Sequence, residues 1–376
     1  MEPIPPRKQQ MDAYLALNVR NNEFLSTFCD FVRFHLRRID DNTWDLFKDL
    51  VFKRQADKPS SGVFWPDSVC GGYFTLSEGP ATGTEEDGSV ESKSSCMWLE
   101  SFYQEDRDLL QNTGCTWVIG DATLHVESRL SYPDQAFVDE TLAELHGRKP
   151  SFEIPRVIWS KTLGDYRLTL CSNLPGQRLS DVWSTLKESA KQRIAAQVAA
   201  AHQELTSWEQ DSWGGVNGKE SIKAMIPSPR GVMCHFHEKP SKLREFGFDC
   251  SKFVFAHNFL MPDNVIVDAQ GQLVGIKDWT WAGFVPRDLT RTQMRYEPHF
   301  QGQVYRALDE YHPYLDMVRD FSNLVDVQLG RLGYDINPRS DLCDPPKIIR
   351  DYCPCGDDHD GTIARGPGEL AKDGGD

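Results

Sequence analysis

The 376-residue sequence lacks an apolar run long enough to cross a membrane. A transmembrane helix needs roughly 20 consecutive apolar residues, and no segment of this chain approaches that length. The start of the chain, MEPIPPRKQQMDAYLALNVRNN, also lacks the apolar stretch of about 7–15 residues that a secretory signal peptide contains. The sequence therefore predicts no membrane span, and we expect the protein in the cytoplasm.

Basic residues are in the minority. The chain has 41 lysines and arginines against 56 aspartates and glutamates, a formal net charge of −15. No basic patch stands out against this background, so the phosphates of a nucleic acid would be repelled. We therefore expect no nucleic-acid partner, and the sequence indicates no particular protein partner.

The ten cysteines lack the paired spacing of a disulfide framework. In a chain of this length, such a scattered distribution favours reduced thiols over a disulfide scaffold.

Metal motifs are also weak in this sequence. One candidate group is His235, His237 and Glu238, and a second is formed by Cys343, Cys353, Cys355 and His359. The Cys-x-Cys spacing of the second group is shorter than the gap in common zinc sites. Neither group is expected to bind a metal.

What the sequence does contain is apolar periodicity. Between residues 10 and 56, helical spacing connects Phe24, Phe28, Val32, Leu36, Trp44, Phe47 and Val51. The segment 77–95 is instead rich in Gly, Ser and Glu, with almost nothing to bury. We expect a helical region followed by a mobile acidic loop.

The middle of the chain alternates between strand and helix patterns. CTWVIGDATLHVES (115–128) predicts a hairpin around Gly120 and Asp121, and a helix is expected over 134–146. Residues 167–186 begin as a buried strand, break at Pro175 and Gly176, and restart as a helix near Ser180.

The second half is mainly helical. A long amphipathic helix is predicted over 189–208, and further helical patterns follow residue 296. Between them, VIVDAQGQLVGIK (265–277) predicts a hairpin with Asn264 and Asp278 at its opposite ends. From about residue 339 the chain is rich in Pro, Gly and Asp, and disorder is expected.

Five segments, taken in order, resemble the aminoglycoside phosphotransferase family, the small-molecule branch of the protein-kinase-like fold, and especially its divergent fungal members. They are VIGDATLHV, IPRV, LPGQRLSDVW, HNFLMPDN and GIKDWTWAGFVP. The resemblance implies an α+β fold with a small β-rich lobe and a larger, mainly helical lobe. The expected parts are a helical N-terminal extension (1–60), the small lobe (61–171), the large lobe (172–338) and a disordered tail (339–376).

The resemblance also implies where the chemistry would lie. His257, Asn264 and Asp278 occupy places that match the family's loop histidine, which in this fold braces backbone, and its two Mg²⁺ ligands. The place of the proton-accepting carboxylate, however, is taken by Phe259. The strand position of the phosphate-gripping lysine is taken by His125, and no lysine occurs from Ser94 to Arg148.

An altered cleft follows from these substitutions. We expect Phe259, Met261, Trp279 and Trp281 to form apolar walls, and Glu140 or Asp139 to face the His125 imidazole. The polar candidates for a catalytic or orienting role are His125, Asn264 and Asp278. Such a cleft suits an apolar small molecule better than a triphosphate.

Three functions therefore remain open. The first is a secondary-metabolism enzyme of cyclase or pericyclase type that uses no cofactor and transfers no phosphoryl group. The second is an O-phosphotransferase that uses ATP and Mg²⁺ through Asn264 and Asp278. The third is a non-catalytic pseudokinase that acts as a binding module.

Overall fold

The computed structural model describes most of the residues between 36 and 334. The described ranges are 36–79, 97–100, 114–128, 136–218, 224–227, 233–236, 244, 248–290 and 313–334. The predictions for the first 35 residues, for most of the acidic loop and for the tail from residue 339 lie outside them. None of the helices in these ranges combines the length and the apolar composition that crossing a membrane requires.

The chain from residue 36 to 78 forms an antiparallel sheet with the strand order β1-β2-β3-β5-β4. Its strands are β1 (Leu36–Asp40), β2 (Thr43–Leu46), β3 (Leu50–Gln55), β4 (Val63–Pro66) and β5 (Tyr73–Glu78). The prediction of helix as far as residue 56 is therefore wrong for the part from residue 36 onward.

A tight turn explains that error. Phe47 and Lys48 both have positive φ, 58° and 60°, and together with Asp49 they form the three-residue loop between β2 and β3. Asp45 closes the turn by accepting a hydrogen bond from the Lys48 N–H at 2.8 Å. Two consecutive left-handed residues suit the twist of a hairpin and are incompatible with a helix. Helical spacing of apolar residues across the turn was therefore coincidental.

A second five-stranded antiparallel sheet has the order β6-β7-β8-β10-β9. Its strands are β6 (Met97–Glu100), β7 (Gly114–Ile119), β8 (Ala122–Ser128), β9 (Val157–Leu163) and β10 (Tyr166–Ser172). The predicted hairpin is confirmed, because β7 and β8 pair on either side of the Gly120-Asp121 turn.

Helix α1 (Val138–Arg148) connects β8 to β9. The helix begins after Phe137, whose backbone N–H donates to the Glu140 carboxylate at 3.0 Å. It ends at Lys149, which has the left-handed φ of 55° common at helix C-termini. The predicted helix is thus confirmed, with its start a few residues later than expected.

The two sheets pack face to face. From the first sheet, their shared apolar core contains Trp44, Phe52, Trp65 and Phe74, among others; from the second it contains Ile119, Leu124, Val126, Leu168 and Leu170. Alternation along β8 therefore directs Leu124 and Val126 into the sandwich and places His125 and Glu127 on the opposite face. That opposite face is the side on which the functional residues of this lobe lie.

Within the described residues, three further helices of the larger lobe have defined bounds. They are α2 (Leu179–Val182), α3 (Glu188–Thr206) and α4 (Pro313–Arg331), with short 3₁₀ turns at Trp183–Thr185 and Pro262–Asn264. The predicted apolar stripe of α3 is confirmed, since Ile194, Val198, Ala201 and Leu205 are all buried.

Small strands complete this lobe. They are β11 (Gln177–Arg178), β12 (Glu209–Gln210), β13 (Ala224–Pro227), β14 (Met233–Phe236), β15 (Phe253–Ala256), β16 (Val265–Val267), β17 (Leu273–Ile276) and β18 (Gly283–Pro286). The sheet β11-β16-β17 contains the hairpin predicted over 265–277, and the sheet β12-β15-β18 lies beside it. The α+β fold with a β-rich lobe and a mainly helical lobe is confirmed.

The segment after α1 joins the small lobe to this hairpin. Glu153 forms a parallel bridge with Gly275; its N–H donates to Val274 at 3.0 Å, and its carbonyl accepts from the Ile276 N–H at 3.1 Å. The same carbonyl oxygen occupies the space where a side chain at Gly275 would begin. Glycine at this position allows the two backbones to approach closely.

Cysteine usage differs from the expectation at one position. Cys70 is disulfide-bonded, whereas Cys171 and Cys250 are free. Burial raises the pKa of the Cys171 thiol, and the charges of Glu127 and Asp139 act in the same direction. The Cys171 thiol is therefore protonated and unreactive at neutral pH.

The Gly275→Ala variant should be less stable than the wild type, because its methyl group would overlap the Glu153 carbonyl oxygen and crowd Leu174. Crowding of this kind typically costs about 1–3 kcal/mol, measurable as a lower free energy of unfolding in urea. Gly147→Ala is the matched control: Gly147 is helical with nothing within 4 Å of the added methyl. This control should gain up to about 1 kcal/mol. Equal stability of Gly275→Ala and the wild type would contradict the close backbone approach.

Candidate interlobe site

His257 anchors the loop that follows β15. Its Nδ1 accepts a hydrogen bond from the Phe259 N–H at 3.2 Å, so the ring proton is on Nε2, which donates to the Lys277 carbonyl at 2.9 Å. Burial lowers the pKa of His257, and the Lys277 hydrogen bond and the Asp278 charge only partly offset this effect. A neutral His257 therefore fixes the backbone of two loops and is used structurally.

Asn258 bridges the same two loops by its side chain. Its φ of 61° lies in the left-handed region, which asparagine tolerates better than most residues. Its Nδ2 donates to the Trp281 carbonyl at 2.9 Å. Its Oδ1 is buried and has no hydrogen-bond partner.

Phe259 occupies the place of the expected proton acceptor. Its carbonyl oxygen accepts from the Asn264 Nδ2 at 2.9 Å and from the Met261 N–H at 3.0 Å. Its half-buried ring lies 6.4 Å from the ring of Trp281. These hydrogen bonds to the Phe259 backbone fix which residue of the loop stands at this position.

The nearest carboxylate along the loop is used elsewhere. Asp263 accepts a hydrogen bond from the Ser180 hydroxyl at 2.9 Å, which connects the loop to α2. Asp263 therefore holds the two elements together.

Asn264 and Asp278 lie next to each other, as the hairpin prediction implied. The Lys277 N–H donates to the Asn264 carbonyl at 2.9 Å. Because Lys277 directly precedes Asp278, this hydrogen bond places the backbone of Asp278 close to Asn264. Asn264 is 2% exposed, and with its Nδ2 bound to Phe259 its Oδ1 remains as an acceptor.

Asp278 is the most unusual group of the site. It is 9% exposed and has a left-handed φ of 61°. Its Oδ1 accepts from the Thr280 hydroxyl at 2.9 Å, whereas its Oδ2 is buried without a hydrogen-bond partner. A buried carboxylate oxygen without a donor is costly and indicates a place where another group binds.

His125 faces this carboxylate from the small lobe. It is 7% exposed, and burial lowers its pKa; the Asp278 charge raises the pKa and the Lys277 charge lowers it. The charges that act on His125 thus come from the loop of the larger lobe. Because burial is the largest of these effects, His125 is a neutral imidazole at the position of the expected lysine.

Thr169 is a polar residue beside His125 that the motifs of the sequence did not indicate. It pairs directly with His125 across β8 and β10, so their side chains share one face of the sheet. It is fully buried, and its hydroxyl has no partner. Period-two alternation along RLTLCS could have revealed it, since Thr169 lies between two core leucines.

The acidic residues of α1 do not face His125 as expected. Asp139 forms a salt bridge with Arg167, while the Glu140 carboxylate accepts from the Phe137 N–H and, at 3.0 Å, from the Asn217 Nδ2. Neither residue is among the charges that shift the pKa of His125. Glu140 therefore caps its own helix, and its assignment to the pocket is corrected.

Glu127 is the acidic residue nearest to His125 in sequence. It is 1% exposed, and its Oε2 accepts from the Val138 N–H at 3.1 Å, at the start of α1. It shares the His125 face of β8, which alternation alone would have indicated.

Two of the predicted apolar walls belong to the core. Trp279 is 1% exposed, its Nε1 donates to the Ile276 carbonyl, and it stacks on Phe152 at 6.3 Å. Met261 is 2% exposed. These side chains leave no surface for a ligand, so the wall role predicted for them is corrected. Trp281 is buried as well, at 8% exposed, so of the four predicted wall residues only the half-buried Phe259 leaves ring surface.

The side chains of His235, His237 and Glu238, and the cysteine group near residue 350, lie outside the described residues. Within the described part of the chain, no group of three or more His, Cys, Asp or Glu side chains is arranged to hold a metal ion.

No family model and no curated protein matches this sequence. Solved structures with a similar chain path include a mutant of aminoglycoside 2'-phosphotransferase IIIa in its GDP complex. That chain is 16% identical, with 66% of this chain and 88% of that chain covered and a TM-score of 0.35. A second is the aminoglycoside phosphotransferase APH(3'')-Id from Streptomyces rimosus, at 13% identity, 57% and 89% coverage and a TM-score of 0.34.

A third is the bifunctional kinase-methyltransferase WbdD, at 12% identity, 61% and 46% coverage and a TM-score of 0.30. At these identities a likeness concerns the fold alone. The order of the strands β6 to β10, the helix inserted between β8 and β9, and the hairpin with Asn264 and Asp278 define a kinase-like, two-lobed protein.

A Mg²⁺-nucleotide would find only half of its site among these residues. The Asp278 Oδ2, which has no donor, and the Asn264 side-chain carbonyl are oxygen groups of the kind that Mg²⁺ prefers. The phosphates would instead meet the neutral His125, which supplies no positive charge. The residues therefore fit a cation and do not fit the triphosphate.

Acid should destabilise the protein through His125 and His257. Both have lowered pKa values in the folded protein and regain the usual value near 6.5 on unfolding. As the pH falls below about 6.5, the unfolded chain binds protons that the folded protein does not, so the free energy of unfolding decreases. Each such proton contributes a slope of about 1.4 kcal/mol per pH unit.

The measurement is urea denaturation at pH values from about 8 to about 5. The His125→Gln variant should lose up to about 1.4 kcal/mol per pH unit of the slope, since its side chain does not titrate. A slope that is the same in this variant and the wild type would show that His125 titrates normally.

Proposed function

We propose that this protein is a phosphotransferase-like protein that binds a small, largely apolar metabolite between its lobes and transfers no phosphoryl group. The observation that carries the proposal is Phe259, an aromatic residue held by its backbone at the place where phosphoryl transfer needs a proton acceptor. A phenyl ring can neither accept a proton nor orient a hydroxyl group.

The magnitudes favour loss of phosphoryl transfer. General-base catalysis contributes about 10²- to 10⁴-fold, and a preorganised charge donor about 10²- to 10³-fold. In this protein Phe259 occupies the place of the base, and a neutral His125 occupies the place of the charge donor. Even when these losses are not additive, a kinase turnover of roughly 1–100 s⁻¹ would fall to a small fraction of that rate.

The remaining groups suit the binding and orientation of an organic molecule. The half-buried Phe259 ring offers aromatic surface, while His125, Asn264 and Asp278 offer polar groups. Holding a reactive molecule in one conformer can accelerate an intramolecular step considerably. We therefore propose a repurposed biosynthetic enzyme of cyclase or pericyclase type, which needs neither ATP nor Mg²⁺.

A second candidate is an ATP- and Mg²⁺-dependent O-phosphotransferase. One observation favours it: Asp278 Oδ2 is buried without a donor, and the backbone of the preceding residue, Lys277, is hydrogen-bonded to Asn264. In that case Asp278 and Asn264 would hold the metal, which would supply positive charge for the phosphates.

Nucleotide binding and turnover separate the two candidates. We expect no ATP-dependent phosphoryl transfer, no ATP hydrolysis and no thermal stabilisation of the wild type by Mg-ATP. A nucleotide at a hundredfold excess over its dissociation constant would add about 2.7 kcal/mol of stability, so binding would be visible.

Restoring the missing groups gives a sharper measurement. The Phe259→Asp variant combined with His125→Lys should hydrolyse ATP measurably faster than the wild type, because it regains a carboxylate and a cation. Phe259→Leu is the matched control and should remain inactive. Wild-type turnover in the kinase range of roughly 1–100 s⁻¹ would refute the proposed function.

A further inference from the structure

A row of polar side chains crosses the inner face of the second sheet. In the strand register, Ser160 of β9 lies opposite Thr169 of β10, and Thr169 lies opposite His125 of β8. Side chains of directly opposite residues project from the same face of a sheet, with Cβ atoms about 4.5–5.5 Å apart. The three side chains are therefore consecutive neighbours on the face that points away from the sandwich core.

Arg167 fixes one end of this row. Its Nη2 donates to the Ser160 hydroxyl oxygen at 3.1 Å and also to the Asp139 carboxylate of α1. The hydrogen bond to Asp139 raises the pKa of Arg167, so the guanidinium stays charged. A guanidinium donates hydrogen bonds and never accepts them. The Ser160 oxygen is therefore an acceptor at this end, and its own proton is available to the next side chain.

Thr169 is the middle of the row, and its hydroxyl is unsatisfied. The residue is 0% exposed, and its Oγ1 has no hydrogen-bond partner. A buried hydroxyl is nearly always paired in folded proteins, because leaving it unpaired costs free energy. Rotation about χ1 moves the hydroxyl between staggered positions without moving the backbone. Its polar neighbours in the strand register are Ser160 on one side and His125 on the other.

His125 forms the other end of the row. It is buried and neutral, and a neutral imidazole has one N–H donor and one acceptor nitrogen. Its second cross-strand neighbour, Thr116, already has an interaction of its own. Thr169 is therefore the neighbour that can supply a donor to the ring.

We propose that a one-way hydrogen-bond relay, from Arg167 through the two hydroxyls, ends on His125 and fixes its tautomer. Each hydroxyl accepts from the preceding group and donates to the next, since the guanidinium at the start can only donate. The ring nitrogen that faces Thr169 is then the acceptor. Nδ1 is the ring nitrogen nearer to the Cβ atom, so Nδ1 takes this place and the proton is on Nε2.

The charges on the other side of the ring favour the same tautomer. Asp278 and Lys277 of the larger lobe both act on His125, and Asp278 has the larger effect on its pKa. Asp278 Oδ2 also lacks a donor. A carboxylate attracts an N–H group and repels the lone pair of an unprotonated nitrogen.

The relay gives His125 a defined role in the cleft. With its proton on Nε2, the neutral imidazole presents a hydrogen-bond donor toward the larger lobe, and Nε2 cannot act there as a base. Thr169 is a positioning residue, because it acts through His125. The role in the cleft rests on the proposed function, whereas the tautomer itself does not.

The tautomer can be read by long-range ¹H–¹⁵N NMR of the full-length protein labelled with ¹⁵N-histidine. The spectrum is recorded at a pH of about 8, where a histidine ring is neutral. The His125→Gln variant identifies the signals of His125 among the ten histidines. We expect a protonated Nε2 and an unprotonated Nδ1. A protonated Nδ1 in the wild type would overturn the inference, and this result needs no other variant to fold.

Substitutions at the two hydroxyls test the relay itself. Thr169→Val should move the Nδ1 resonance toward that of a nitrogen that accepts no hydrogen bond, and Ser160→Ala should move it in the same direction. Thr169→Ser keeps the hydroxyl and should retain the wild-type resonance. Thr116→Val is the matched control, since Thr116 flanks His125 on the other side, and it should leave the resonance in place.

The stability of Thr169→Val gives a second measurement, because its sign depends on the pairing. If the hydroxyl donates to His125, valine leaves Nδ1 unsatisfied, and the midpoint of urea denaturation falls. If the hydroxyl is unpaired, its removal raises the midpoint or leaves it unchanged. We expect the midpoint to fall.

Two further results would contradict the relay: an Nδ1 resonance that stays in place in Thr169→Val, and a midpoint for this variant at or above that of the wild type. ATP turnover by the wild type would instead refute the proposed function and would leave the tautomer as it is. The two failures are therefore distinguishable.

Discussion

The site depends on two hydrogen bonds to the backbone of Lys277, which join the loop after β15 to the end of β17. His257 Nε2 donates to the Lys277 carbonyl, and the Lys277 N–H donates to the Asn264 carbonyl. Because both partners of Lys277 belong to one loop, Asp278 is held beside Asn264 whatever occupies the cleft. These two loops are thus held by the His257 ring and by backbone groups, without the side chains of Phe259 or Asp278.

This separation explains how the chemistry can change while the fold persists. A neutral, buried His257 and the amide of Asn264 satisfy backbone groups of the loop, so their loss would leave buried polar atoms without partners. Phe259 contributes only backbone atoms to that network. The hydrogen bonds of that network therefore do not require a ring at this position.

The small lobe shows a related division between its two faces. The first sheet, from β1 to β5, covers the outer face of the second and shares one apolar core with it. Leu124 and Val126 are committed to that core, and His125 and Glu127 are left for the inner face. On that face Glu127 holds the start of α1, so the helix and the functional face are positioned by the same strand.

Local patterns were sufficient for much of the fold. The turn at Gly120, the break at Gly176, the stripe of α3 and the hairpin after Asn264 follow from turn chemistry and periodicity, which act over a few residues. The strands β1 to β3 were missed because their apolar spacing also fits a helix, and only pairing with β5 and packing on the second sheet decides between them. The sequence by itself also determined that an aromatic residue replaces the expected base at position 259. Only the tertiary structure decided that Trp279 is core, that Glu140 caps its helix, and that Asp278 has an oxygen without a donor. Burial and hydrogen-bond satisfaction depend on residues distant in the chain, and no local pattern specifies them.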